Sequence, residues 1–182
     1  IYVKADAITY GEAPVIKLEY EGFVGTDDST KLINLTTPVS EYAQWDDVDS
    51  GVFAITLEQF LDNNYNINIV NGELTVNKKQ LTIDWSGSVF TYTGTPVDIY
   101  ATISGFVGLD TSRQVVLTYD KAAESLAGSD YTRTVTNVEL VGGNLDNYIL
   151  PANMTTTYSI GKQKINLTLT ESTIDYNGEL HS

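Results

Sequence analysis

The stretch Gly22-Phe23-Val24-Gly25-Thr26-Asp27 returns 83 residues later as Gly105-Phe106-Val107-Gly108-Leu109-Asp110. The same offset carries Asn64-Tyr65 onto Asn147-Tyr148. Self-similarity at a fixed period means that the chain is built from copies of one supersecondary unit, each packed mainly on its neighbours. The repeat divides the 182 residues into units of about 80 to 85 residues, long enough for a core each. The first unit is read as 1–77 and the second as 78–161, with 162–182 the start of a third. In that last stretch Lys162-Gln163 parallels Lys79-Gln80, and Ile165-Asn166-Leu167 parallels Leu81-Thr82-Ile83. Ile174-Asp175-Tyr176-Asn177-Gly178 echoes the turn at Tyr10-Gly11. The array is expected to continue beyond this stretch.

Within a unit the pattern is that of short strands. Ile1 to Ala5, Val15 to Tyr20, Leu32 to Leu35 and Val52 to Leu57 alternate or run apolar between Gly and Pro breaks. Tyr65 to Val70 and Leu74 to Val76 flank Asn71-Gly72, which predicts a hairpin. In the second unit Leu81 to Trp85, Val97 to Ile103, Val115 to Tyr119 and Tyr131 to Val141 are the corresponding strands, and Tyr148 to Leu150 with Thr157 to Ile160 the closing hairpin. The expected fold is all-β, two tandem immunoglobulin-like β-sandwiches in an elongated rod. The alternative is a β-grasp-like α+β unit, supported by helix-compatible residues at 57–61 and 121–126. Only Asn77-Lys78-Lys79 and Gly161-Lys162-Gln163 separate successive units, and links that short favour a rod.

Charge and composition exclude several classes of function. With 24 acidic and 10 basic residues the net charge is −14, a field that repels nucleic acid and anionic membrane and keeps an extended chain from collapsing. Charged residues make up only 19%, too few for a disordered polyelectrolyte. No apolar run is long enough to span a bilayer. Cysteine is absent and His181 is the sole histidine, which removes thiol and Ser-His-Asp chemistry and zinc sites. Gly22 and Gly25 lack the further Gly and Lys of a phosphate-binding loop. A non-enzyme without cofactor is expected.

The repeat also works as an internal control on the aromatic residues. Phe23/Phe106, Tyr65/Tyr148 and Tyr10/Tyr92 occur in both copies and are assigned to the shared core and turns. Trp45 and Trp85 do not recur, so they are free to pack at the joint or to lie exposed. With Tyr42 they are the candidate ligand-binding residues, because an exposed ring beside carboxylates suits carbohydrate stacking. Asp46, Asp47 and Asp49 form an acidic cluster that reads first as a solvated loop and alternatively as a calcium site, although the spacing lacks the Gly and terminal Glu of a calcium loop.

Taken together, Tyr10-Gly11-Glu12, Gly22-Phe23-Val24-Gly25, Ser50-Gly51-Val52-Phe53, Asn64-Tyr65 and Asn71-Gly72-Glu73-Leu74-Thr75-Val76 resemble the MBG domains, tandem repeats of large bacterial cell-surface adhesins. The second copy follows the pattern with an insertion at Tyr92-Thr93-Gly94 and with Asn153-Met154 in place of Asn-Gly. The resemblance implies a cell-wall-anchored extracellular protein of a Gram-positive bacterium, its modules serving as a stalk or as an adhesive surface. It offers no catalytic residues. The partners it implies are neighbouring repeats of the same chain and host glycan or mucin, with the chain itself a monomer.

Overall fold

A computed structural model describes residues 1–171 and residue 178 of the chain. The echo at 174–177 and His181 lie outside the described residues. Fourteen strands follow one another: β1 Tyr2–Ala5, β2 Ile8–Thr9, β3 Ile16–Glu19, β4 Val39–Ser40, β5 Val52–Thr56, β6 Gly72–Asn77, β7 Lys79–Gln80, β8 Thr82–Trp85, β9 Val89–Thr91, β10 Ala101–Ser104, β11 Val115–Tyr119, β12 Gly128–Leu140, β13 Tyr148–Ile149 and β14 Thr155–Gly161. The only helical turns among the described residues are short 3-10 segments at Ser29–Lys31, Gly108–Ser112 and Leu145–Asn147. The fold is all-β and layered in several sheets, as expected of sandwich-type units.

The two copies share one topology. In the first, a four-stranded sheet runs β2-β6-β5-β4 and a separate antiparallel pair joins β1 to β3. In the second, a four-stranded sheet runs β9-β14-β12-β11 and β8 pairs with β10. In both sheets the first neighbour pair is parallel and the others antiparallel. An additional parallel contact joins β7 to β13. The alternation of β6 shows why these residues pair as strands: Leu74 and Val76 point into the core while Glu73 and Thr75 face water. One buried apolar cluster runs from Val3 and Ile55 of the first copy through Tyr10 and Val48 to Leu81, Val138 and Tyr148 of the second. A smaller one around Ile99, Tyr158 and Ile160 closes the far end of the second copy.

Several local expectations are corrected. No helix forms at 57–61 or 121–126, so the β-grasp alternative loses its support. Those segments spend their backbone groups elsewhere: Leu57 N–H donates to Asn71 Oδ1, and Glu124 N–H donates to the Tyr158 hydroxyl. The hairpin around Asn71-Gly72 does not form either. Val70 pairs instead with Tyr2, and β6 pairs with β5 and β2. Gly72 serves a different purpose from a turn, because a Cβ there would lie 2.1 Å from Val3 O. The glycine lets β6 pass against the backbone of β1. The closing hairpin of the second copy likewise gives way, β13 joining β7 and β14 joining β12 and β9.

The third strand expected at Leu32 to Leu35 is a bend, with Asn34 in the left-handed region at φ 59. At the same offset Val115 to Tyr119 is a strand paired with β12, whereas in the first copy the place beside β5 is taken by Val39–Ser40. Residues 162–171 carry no strand and are exposed. The strands they were matched to are each held by a partner, and 162–171 has none among the described residues.

Candidate functional site at the joint between the copies

The repeated motif builds the same latch twice. Gly22 and Gly105 sit at φ 93 and 106, and Gly25 and Gly108 at φ 66 and 58, all values at which a side chain is strained. Between them Phe23 meets the ring of Tyr65 edge-on at 5.5 Å, and Phe106 meets Tyr148 at 5.1 Å. The Tyr65 hydroxyl donates to Asp27 Oδ2 at 2.6 Å, and the Tyr148 hydroxyl to Asp110 Oδ2 at 2.7 Å. The amides of Val24 and Val107 donate back to those hydroxyls at 3.4 and 3.3 Å. The Gly-Phe-Val-Gly-x-Asp stretch and the Asn-Tyr stretch therefore recur together because they bond to each other.

The two latches differ in their surroundings. Asp110 is buried and also accepts from Arg113 Nε at 2.7 Å, whereas Asp27 is half-buried. Burial first, and then the hydrogen bond to Asp110, raise the Tyr148 pKa above the usual phenol value. Burial and the nearby Asp110 charge raise Tyr10 as well, and the bond to Asp27 raises Tyr65.

What buries the second latch is the first copy. The loop from Tyr42 to Asp49 reaches across and binds Asn147, which is 2% exposed. Asn147 Nδ2 donates to Asp47 Oδ1 at 2.7 Å, and Val48 N–H donates to Asn147 Oδ1 at 2.8 Å, so one amide satisfies a carboxylate and a peptide group at once. The Tyr10 ring packs edge-on against Tyr148 at 5.3 Å and against Trp45 at 6.4 Å. Trp45 lies between two glycines. A Cβ on Gly11 or on Gly108 would each come within 2.9 Å of its ring. The loop is braced within its own copy, since Asp46 Oδ2 accepts from Ala43 N–H at 2.8 Å inside the loop and Gln44 Nε2 donates to Gly11 O at 2.7 Å.

Beside this contact lies a cleft of about 540 Å³, with Tyr10, Trp45, Asp47, Asp110, Arg113 and Asn144 among its walls. Trp45 remains 47% exposed and presents part of its ring to the opening. An indole face next to a guanidinium and two carboxylates is chemically able to stack on a sugar and to bond its hydroxyls.

The sequence-level candidates separate in the structure. Trp45 alone borders the cleft with its ring exposed. Tyr42 is buried against Phe53 at 5.1 Å, and burial is the main cause that raises its pKa. Trp85 is half-buried against Tyr119 at 6.1 Å and belongs to the core of its own copy, not to the joint. Tyr92 departs from its partner Tyr10: it is 40% exposed, whereas Tyr10, at 7%, packs on Tyr148 and Trp45. The three aspartates are not gathered. Asp46 turns onto its own loop, Asp47 onto Asn147, and Asp49 faces solvent. No group of three metal-binding side chains occurs among the described residues, and no helix there is long and apolar enough to cross a membrane.

Asn147, Gly11 and Gly108 are the site residues that sequence reasoning missed. The signal was present in the repeat, where Asn and Tyr recur as a pair although only the tyrosine is needed for the latch.

Residues 1–75 match the family model described as MBG domain (YGX type), which bears out the resemblance over the first copy. No curated protein and no solved structure matches the chain.

Proposed function

We propose, from the match of residues 1–75 to the MBG domain, that this chain is a non-catalytic repeat segment of a bacterial cell-surface adhesin, acting mainly as an extended stalk. The observation that carries this reading is the commitment of the tryptophans. Trp85 packs in the core of one copy, and Trp45 is wedged between Gly11 and Gly108 where the copies meet. A joint held by a ring, a buried amide and a short link resists bending, and the surplus of negative charge opposes folding back. Such a segment would hold a distal binding head away from the cell wall. Small-angle scattering tests it: the maximum dimension should match two units end to end and stay constant as salt is raised. A dimension that shrinks to that of one compact globule would overturn the stalk reading.

The cleft beside Trp45 favours a second reading, direct adhesion to host glycan or mucin. A glycan-array and mucin-binding assay on this chain and on Trp45→Ala separates the two. Binding that Trp45→Ala loses makes the segment adhesive, and absence of binding by the parent leaves the stalk.

A further inference from the structure

The joint can be read as a plug and a socket. The plug is the loop carrying Trp45, Asp47 and Val48. The socket is formed by Val107, Gly108, Asn147 and the latched Tyr148. Every socket residue type recurs in the first copy at the same offset, as Val24, Gly25, Asn64 and Tyr65. There the same face is assembled, and none of the described residues covers it. Val24 is 72% exposed, and a Cβ on Gly25 would meet nothing within 4 Å where one on Gly108 strikes Trp45. Asn64 is exposed, and its side chain bonds no protein group among the described residues. The latch beneath is nevertheless closed, with Tyr65 on Asp27 and Phe23 against Tyr65.

A latch explains why Phe and Tyr recur, but it does not use the asparagine. Asn64 precedes the latched tyrosine as Asn147 does, and in the second copy that asparagine has one role, to hold the loop of the preceding copy. We infer that the Val24–Gly25–Asn64 face of the first copy is a docking surface for a preceding copy of the same unit, one that presents an aromatic-acidic loop of the Tyr42–Val48 kind. The indole would cover Gly25, the carboxylate would accept from Asn64 Nδ2, and a loop N–H would donate to Asn64 Oδ1. This deepens the stalk reading and rests on it, since it makes the joint a repeated head-to-tail contact, not one private to this pair.

The test adds the occupant. Residues 1–82 are placed ahead of Ile1 in the otherwise intact chain, so that Ile1 stands where Ile83 stands after the first copy. Asn64→Ala is then compared in the extended and the 182-residue chains by thermal unfolding. In the 182-residue chain the substitution falls on an exposed side chain and should leave the midpoint within about 1 °C. In the extended chain the loss of the amide bonds should lower the first midpoint by about 4–8 °C. Val24→Glu, also on an exposed side chain, should show the same contrast by setting a carboxylate against the acidic loop. Equal shifts in both chains, or none in either, overturn the socket. Scattering on the same samples keeps the two ideas apart. A dimension that grows by one unit without any contrast at Asn64 refutes the socket and leaves the stalk, while one that fails to grow refutes the stalk as well.

Discussion

The twin latches allow one substitution to be made in two environments. Tyr148→Phe removes the hydroxyl that donates to Asp110 at 2.7 Å and accepts from Val107 N–H at 3.3 Å. Asp110 is buried and would keep only Arg113 as a partner. A hydrogen bond to a charged group contributes about 1.5–3 kcal/mol, and a buried group left without its partner adds desolvation cost. The long Val107 contact adds little, so the expected loss is about 2–3 kcal/mol. With a urea slope of about 1–3 kcal/mol/M, the midpoint should fall by roughly 1 M. Tyr65→Phe removes the same hydroxyl from a latch whose Asp27 is half-buried and whose face is open. Water replaces the lost bond there, and the fall should be a small fraction of that at Tyr148. The assay is urea unfolding at pH 7 followed by far-UV circular dichroism, with both variants fitted to a common slope. Equal losses in the two variants, or a Tyr148→Phe loss below about 0.5 kcal/mol, would refute the argument that burial by the neighbouring copy sets the strength of the latch.

Gly108→Ala and Gly25→Ala both place a side chain in the left-handed region, at a cost of about 1–2 kcal/mol. Only the first also drives a Cβ to 2.9 Å from the Trp45 ring, so it alone should lengthen the Trp45 emission maximum as the joint opens. Gly72→Ala brings a Cβ to 2.1 Å from Val3 O, a backbone atom that cannot swing away, and should cost about 3 kcal/mol in urea unfolding. Stability should also fall steeply in alkali. The raised pKa values of Tyr148 and Tyr10 mean that above about pH 10 the unfolded chain releases protons that the folded one retains, so their contribution is complete below that pH and lost above it. Thermal midpoints from pH 8 to 11 should show that slope, and Tyr148→Phe should flatten it.

The sequence made the largest features legible because they are periodic. The repeat, the all-β class and the division between recurrent and unique aromatics all follow from spacing, and spacing survives folding. What it hid were choices between local and distant partners. Asn71-Gly72 has the chemistry of a two-residue hairpin, yet the glycine is required by the passage of β6 over Val3, a contact between residues far apart in the chain. Leu32 to Leu35 has the composition of a strand, but Asn34 takes the left-handed bend and β5 pairs with Val39–Ser40 instead. Trp45 is unique to one copy. Trp85 is equally unique, and the two do not differ in the sequence, because whether a unique ring meets a neighbour or its own core depends on tertiary packing that no local pattern encodes.

The asymmetry of the joint follows from which of its halves repeats. The socket residues lie in the motif that both copies need for their own latch, so selection for folding the unit maintains most of the socket at no extra cost. The plug lies in a loop that folding the unit does not require. Accordingly Trp45, Asp47 and Val48 have no like-for-like counterparts in the segment ahead of β12, where the apolar side chain exposed beside Tyr92 is Leu126, at 66%. On the inference that the Val24–Gly25–Asn64 face is a socket too, a common socket with a variable plug would let each joint be tuned through one loop without touching the core. It also ties the stiffness of the contact to that loop. Exchanging Trp45 for leucine should soften this joint while leaving both copies folded, a change that residual dipolar couplings would detect as independent alignment of the two copies.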